Sequence, residues 1–461
     1  MKRYAEKEMM SWFKGKNRKP LVLRGARQVG KSTLVRQFAA AAGLTLNEIN
    51  LERHMNLART FASFDIPRIL EELGVIVGHS VDQKDSLLFL DEIQGVPEAL
   101  AALRYFHEDR PDLPVVAAGS LLEFALTRRK LSMPVGRIVY LYLGPMTFDE
   151  FLEEIEPELL PYCRMAAAEG RVPEEAHERL RRRVRQYMFV GGMPEAVRTF
   201  SQEGLTEVPA IQRSLLETYE DDFAKYAQGI DLALMQEIFR NLSPQVCAKV
   251  KYVNFSREVP SREVKSVLNL FRKARVCSAV RASSCDGVPL FADTEEGVWK
   301  ELFLDVGLMN HACGINWQML ERMDGVRFVN EGAMAEQFVG QHLLYREGCL
   351  AKPQLAYWLR EGVKGNAEVD FVISSGKTIY PVEVKAGKGG SLKSLRELIL
   401  AKRFGKAFRF DDNMPERQTI VLDAGGETVE YELVSLPLYA IGSVMDSLGA
   451  ISECDENRLF D

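Results

Sequence analysis

The sequence has no C-x-x-C pair: its seven cysteines (Cys163, Cys247, Cys277, Cys285, Cys313, Cys349, Cys454) are scattered and odd in number. That pattern argues against a disulfide framework and against a zinc site, and for a reducing compartment. The six histidines never form H-x-x-x-H, so the helical zinc-protease pattern is also missing. No apolar run approaches the roughly 18–20 residues that a spanning helix needs. The amino end, Met1-Lys2-Arg3-Tyr4-Ala5-Glu6-Lys7-Glu8, alternates charge where a secretory leader needs an apolar core. A surplus of positive charge is lacking too. With a net charge of −6 and a pI near 5.8, contact with nucleic acid must come from local patches rather than the whole surface. The expectation is a cytoplasmic protein that does not enter a membrane.

What is present begins with length: 461 residues are too many for one core, and about three domains is the prior. One short stretch organises the rest. Gly25-Ala26-Arg27-Gln28-Val29-Gly30-Lys31-Ser32 has the form G-x-x-x-x-G-K-[ST], a phosphate-binding loop. Glycines let the chain curl so that successive N–H groups point inward, and the start of the next helix adds unpaired donors and a positive dipole end. Lys31 is expected on the β- and γ-phosphates, Ser32 on Mg²⁺, and Thr33 in the same binding shell. The context agrees: the apolar strand Leu21-Val22-Leu23 precedes the loop, and Leu34, Val35, Phe38 and Ala39 follow at helical spacing.

Ser86–Leu90 is an uninterrupted apolar run ending in Asp91-Glu92, which suits a strand buried on both faces of a parallel sheet. Carboxylates at such a C-terminal end lie where open α/β sheets bind ligands. Asp91 is the candidate for holding Mg²⁺ and Glu92 for orienting and deprotonating the attacking water. The next short strand, from Leu113 to Ala118, ends at Gly119-Ser120, and Ser120 is a candidate sensor of the γ-phosphate or the water. Arg137, near a last strand over Ile138–Leu141, is a candidate for neutralising charge on the γ-phosphate, in cis or from a neighbouring subunit.

These motifs, together with Gly136-Arg137 and Pro145-Met146-Thr147-Phe148-Asp149-Glu150-Phe151, resemble a prokaryotic family of AAA-superfamily ATPases. The C-terminal part of that family is labelled a domain of unknown function. The resemblance implies an α/β fold: a P-loop AAA-type parallel sheet over 1–147 with a helical lid over 148–230. A winged-helix middle domain over 231–298 and a restriction-endonuclease-like α/β domain over 299–461 follow. Gly191-Gly192-Met193-Pro194 resembles the Gly-Gly-x-Pro turn of the same family.

The downstream residues carry their own signals. Leu232–Leu242 and Arg262–Ala274 read as helices, and Val276–Ala282 and Val288–Phe291 as a hairpin. Nine Lys/Arg stand against two Glu between 245 and 285, which suits contact with phosphates, although such modules also serve as plain protein adaptors. Beyond a helix over Glu331–Glu347, Glu368–Ile373 and Ile379–Lys385 read as strands. Their period-2 alternation puts Glu383 and Lys385 on one face, where Asp370 can join them. Two carboxylates and a lysine are what a Mg²⁺-dependent phosphodiesterase requires. The array resembles the PD-(D/E)XK nucleases, with Asp370 and Glu383 on the metal, Lys385 catalytic and Glu336 an additional ligand. Val369 stands where that pattern has proline.

The expected cofactors are therefore ATP and Mg²⁺. DNA or RNA, a second copy of the chain, or a partner protein are the candidate partners. The competing reading is an ATP-dependent regulatory switch whose C-terminal half docks proteins and cuts nothing. A small-molecule kinase is disfavoured, because Asp91-Glu92 is a hydrolase arrangement and no acceptor site is visible.

Overall fold

In the computed structural model, the described residues are 1–120, 136–227, 229–321, 331–345, 348–362, 365–387, 389, 391–423 and 427–444. Two sheets organise the chain. The first is all parallel, in the order β2-β3-β4-β1-β5. Its strands are β1 (Leu21–Arg24), β2 (Thr45–Asn50), β3 (Ser86–Asp91), β4 (Val115–Gly119) and β5 (Val139–Tyr142). β3 and β4 are buried along their whole length, as their unbroken apolar runs require. Helix α1 (Ala5–Lys14) packs Met9 and Trp12 inward, and α2 (Lys31–Ala41) does the same with Leu34, Val35, Phe38 and Ala39. On the other face, α3 (Ile66–Val77) and α4 (Pro97–Asp109) enclose a separate core with Val22, Leu88 and Leu90.

A helical section follows: α5 (Phe148–Ile155), α6 (Leu160–Glu169), α7 (Glu174–Val190), α8 (Pro194–Glu203) and α9 (Val208–Tyr226). Helix α5 opens with a reciprocal capping box between Thr147 and Glu150, which satisfies two of the helix's orphan donors. The arginines of α7 are not a bare basic face. Arg179 and Arg183 both pair with Glu156, and Arg181 pairs with Asp412 and Glu178.

Helices α10 (Leu232–Leu242) and α11 (Ser261–Lys273) lead into β6 (Cys277–Ser283) and β7 (Thr294–Phe303). The second strand lies later than the sequence suggests. Leu290–Asp293 is a 3₁₀ turn, and the strand runs on through Trp299-Lys300-Glu301. The hairpin does not close off a domain of its own either. β6 pairs in parallel with β8 (Leu355–Arg360), so both strands extend a mixed sheet in the order β12-β13-β11-β10-β9-β8-β6-β7. A boundary at 298/299 therefore falls inside β7. The remaining strands are β9 (Ala367–Ser375), β10 (Thr378–Val384), β11 (Lys406–Asp411), β12 (Glu416–Asp423) and β13 (Thr428–Pro437). Helix α12 (Val306–Ala312) follows β7, α13 (Glu331–Leu343) packs on β7 and β10, and α14 (Lys393–Lys402) packs on β9. Residues 134–135, 346–347 and the tail beyond 444 lie outside the described residues.

Helix α13 joins the two halves through buried polar groups. Gln337 exchanges hydrogen bonds with the Phe303 backbone, and the Gln341 carbonyl accepts from the Val306 N–H. His342 Nε2 accepts from the Phe148 N–H at 2.8 Å. That bond puts the ring proton on Nδ1, which donates to the Phe338 carbonyl at 2.7 Å. Burial lowers the His342 pKa from 6.5 to about 4, so the neutral ring is the folded form. Its contribution to stability is complete above pH 6.5 and is lost as pH falls toward 4. We expect His342→Gln to flatten the decline in stability between pH 6.5 and pH 4.5 by up to about 1.4 kcal/mol per pH unit. Chemical denaturation of both proteins across that range measures it, and equal slopes would remove His342 from the acid response.

Candidate functional site

The phosphate loop sits between the end of β1 and the start of α2. Gly30 takes φ +90° and Gln28 φ +65°, the left-handed conformations that turn the amides inward. Gly25 has no room for a side chain, since a Cβ there would stand 2.3 Å from the Leu143 carbonyl oxygen. Lys31 is buried, and its ammonium donates to the carbonyls of Gly25 (3.1 Å) and Ala26 (2.7 Å). Burial lowers its pKa to about 8, against the opposing pull of Glu92 and Asp91. The Ser32 hydroxyl donates to Asp91 Oδ2 at 2.8 Å, so a residue of the loop and one at the tip of β3 share one small volume. Burial raises the Asp91 pKa, partly offset by the Ser32 bond.

Glu92 has φ +48°, a strained conformation for a non-glycine residue. Its Oε2 accepts from Gln94 Nε2 at 2.6 Å. Ser120 is buried just past β4, between the strands that end at Asp91 and at the loop. A cavity of about 390 Å³ opens over the loop, lined by Arg27, Gln28, Gly30, Lys31, Ser32, Thr33 and Glu92 on one side. Pro194, Glu195 and Arg198 of α8 line the other side.

Arg137 is elsewhere. It lies two residues before β5, whose residue Val139 pairs with Leu21 at the start of β1, so it sits at the opposite end of the strands from the loop. Its guanidinium is half-exposed and donates to Glu108 at 3.0 Å. In this conformation Arg137 does not reach its own chain's loop, and a surface ion pair is the role the structure shows for it.

Several contacts were not visible in the sequence. Arg3 is buried, pairs with Glu150 at 3.1 Å, and donates to the carbonyls of Val29 (2.9 Å) and Gly144 (2.8 Å). It thereby ties the phosphate loop to the Gly144 backbone and to Glu150, and it also lines the cavity over the loop. Arg27 pairs with Asp222 of α9, and the Tyr219 hydroxyl donates to the Arg27 carbonyl at 2.5 Å. The side chains of α8 and α9 meet the loop only through tertiary folding, so no local pattern marks them.

The C-terminal half gathers a second constellation. Phe371 of β9 faces Val382 of β10, and one step further Asp370 comes opposite Glu383. Asp370 Oδ2 accepts from the Val384 N–H at 2.7 Å. Lys385, just past β10, puts its ammonium 2.5 Å from Glu383 Oε1. Carboxylate oxygens of Glu336, Glu368 and Asp370 lie within 4.8 Å of one another. Glu368 went unrecognised, although it stands two residues before Asp370 and so shares its face. Lys300 was also missed. Carried on β7, three strands away from β9, its buried ammonium reaches Glu336 Oε1 (2.7 Å) and Glu368 Oε1 (2.5 Å).

Burial raises the Glu336 pKa to about 8, and burial with the nearby Asp370 charge raises Glu383 to about 7. Burial dominates the upward shift of Asp370 as well. Glu383 Oε2 is buried with no hydrogen-bond partner among the described residues. Four carboxylates here face two ammonium groups. An all-oxygen donor set with an unpartnered buried oxygen fits a hard divalent cation such as Mg²⁺ or Mn²⁺.

Comparison with known families bears on the first site directly. Residues 17–152 match the model of the AAA domain family. Over this stretch the chain is similar to AAA domains, and its parallel five-stranded sheet fits a P-loop fold. Residues 181–319 and 331–439 match two further families, each described only as a domain of unknown function (DUF8612 and DUF4143). The 181–319 match runs across the boundaries placed at 230/231 and 298/299. Among solved structures, a Walker-type ATPase of Pyrococcus abyssi is 16% identical, with 68% of this chain and 95% of that one covered and a TM-score of 0.42. The ORC2 protein of Aeropyrum pernix is 14% identical (70% and 96% covered, TM-score 0.28). A signal-transduction ATPase with numerous domains from Pyrococcus horikoshii is also 14% identical (74% and 45% covered, TM-score 0.22). No curated protein matches the chain. Among the described residues, no helix is long and apolar enough to cross a membrane.

Among the described residues lining the cavity over the loop, Lys31 is the only lysine. Lys31→Ala should weaken ATP binding roughly 100-fold, the loss of a strong charge-assisted contact. Titration with a fluorescent ATP analogue checks this, and unchanged affinity would mean that the loop is not the nucleotide site.

Proposed function

We propose that the chain is a Mg²⁺-dependent ATP hydrolase that couples its nucleotide state to a nuclease-like C-terminal site acting on nucleic acid. The observation that carries the first half is the 2.8 Å bond between Ser32 and Asp91 beside Lys31 and Glu92. One magnesium ion held there by the Ser32 hydroxyl and the Asp91 carboxylate would neutralise phosphate charge and template the reaction. The loop amides and Lys31 then hold the β- and γ-phosphates, with Thr33 at the head of α2 beside them. Glu92 orients a water toward the γ-phosphorus and accepts its proton. Ser120 is suited to sensing the water or the γ-phosphate from the end of β4. Arg198, which faces the same cavity from α8, is suited to follow the phosphate charge from the lid side. An arginine delivered by a second copy, for which Arg137 is the candidate, would complete charge neutralisation.

The second half rests on the meeting of Glu336, Asp370, Glu383 and Lys385, which come from one helix and two strands. Asp370 and Glu383, with Glu336, would hold a divalent ion, which there would polarise a phosphodiester and acidify a water. Lys385, held by Glu383, is positioned to stabilise negative charge on the phosphate. The helix pair α10–α11 with its basic surroundings supplies a winged-helix-like surface for the nucleic-acid backbone.

One observation favours the second reading, a switch that cuts nothing: the ammonium of Lys300 lies among the carboxylates. A cytoplasmic setting suits either reading.

Two outcomes test the proposal. Glu92→Gln should leave ATP affinity unchanged while lowering kcat for phosphate release by about 10²–10⁴-fold; full turnover would remove Glu92 from the chemistry. Lys385→Ala should keep ATPase activity and lose Mg²⁺-dependent cleavage of DNA or RNA. If the wild type cuts neither single- nor double-stranded forms of either, the switch reading stands in its place.

A further inference from the structure

The proposed divalent-ion site already contains a cation. Lys300 is fully buried, and its ammonium stands 2.7 Å from Glu336 Oε1 and 2.5 Å from Glu368 Oε1. These two residues, with Asp370, form the group of oxygens that lie within 4.8 Å of one another. A divalent ion on the same oxygens would sit within about 2.0–2.6 Å of each. The ammonium already stands against two of these three, Glu336 and Glu368. Two cations so placed would clash and would also repel strongly in a poorly hydrated pocket.

The lysine is held there on every side. Its ammonium lies 4.8 Å from the Tyr357 ring centroid, a favourable cation–π position. Its strand is pinned on both flanks: Lys300 pairs with Val280 of β6 and bridges to Lys249. Beside it, Glu383 keeps a buried oxygen with no hydrogen-bond partner among the described residues.

We infer that Lys300 is a tethered cation that competes with the divalent ion for the Glu336–Glu368–Asp370 oxygens, so that metal enters fully only when the lysine has withdrawn. The inference rests on the metal-site reading of Asp370 and Glu383 above. It adds a residue from a different part of the chain that sets how readily the ion binds. The side chain removes one charge from the cluster at no cost of recruiting a free ion, and its withdrawal would expose a preformed set of oxygens.

The test is Mn²⁺ binding by isothermal titration to the nucleotide-free full-length protein. Wild type, Asp370→Asn, Lys300→Met and Lys300→Met/Asp370→Asn are compared, each with a parallel thermal melt. The expected result is weak binding to the wild type, at least tenfold tighter binding to Lys300→Met, and loss of that gain in the double variant. The melting temperature of Lys300→Met should also rise with Mn²⁺ more than that of the wild type. If the wild type binds Mn²⁺ as tightly as Lys300→Met, and Asp370→Asn abolishes binding in both, the metal site stands and the competition is overturned. If Mn²⁺ binds none of the proteins, the metal-site reading fails and takes the competition with it. Should Lys300→Met not fold, Lys300→Gln takes its place, removing the charge while keeping an N–H donor for the carboxylates. A gain of tenfold or more there supports the inference, and no gain overturns it.

Discussion

The buried carboxylate of Asp305 holds the two halves of the molecule together. Its Oδ2 accepts from the Gly192 N–H at 2.7 Å, and its Oδ1 accepts from the N–H groups of Gly307 and Leu308 at 3.0 Å. Gln341 of α13 adds a longer contact. Burial pushes its pKa up to about 6, with these donors pulling the other way. The approach is so close that side chains have no room. A Cβ on Gly191 would lie 2.0 Å from Asp305 Oδ1, one on Gly192 2.1 Å from the Met146 carbonyl, and one on Gly307 2.4 Å from the Gly191 nitrogen. A charge buried this deeply is stable only while all its donors stay in place, so the Gly191-Gly192 turn and the start of α12 behave as one piece.

That piece lies between the two sites. On one side the turn runs directly into Pro194, Glu195 and Arg198, which line the cavity over the phosphate loop. On the other, Asp305 is only five residues beyond Lys300, an extended span of at most about 17 Å. Helix α13 runs alongside, with Glu336 at the carboxylate cluster, Gln341 at Asp305 and His342 at Phe148. Close-packed interiors pass displacements on instead of absorbing them. Between the α8 side of the cavity over the phosphate loop and the acidic cluster, the contacts run through the Gly191-Gly192 turn, the end of β7 and helix α13.

The sequence shows the parallel sheet and the phosphate loop almost completely, because both are local. A strand, a glycine-rich turn and a helix start lie within twenty residues, and the β3 run reads as buried on its own. Glu383, Lys385 and Asp370 are legible for the same reason, through alternation along neighbouring strands. What the sequence hides is non-local. The hairpin reads too early because Val288–Phe291 is apolar, while the strand itself passes through the charged Lys300 and Glu301, which looks unlike a buried strand until their partners are known. Lys300 finds its carboxylates about 36 and 68 residues away, Arg3 finds Glu150 and the loop, and Arg27 finds Asp222. Arg137 misled in the opposite way: closeness to a strand in sequence does not say which end of the sheet the residue occupies.

The two buried lysines behave differently for a reason that lies in their partners. Lys31 is satisfied by two backbone carbonyls, neutral acceptors that can be exchanged for phosphate oxygens with a gain in charge pairing. Lys300 is satisfied by two carboxylates. Pulling one member from a buried ion pair costs about 3–5 kcal/mol unless another charge replaces it. The first lysine is thus poised to take up an anion that arrives, while the second is held until a cation arrives or its strand is moved. In one, the ligand completes the charge balance; in the other, the protein has already nearly completed it, and binding must be an exchange.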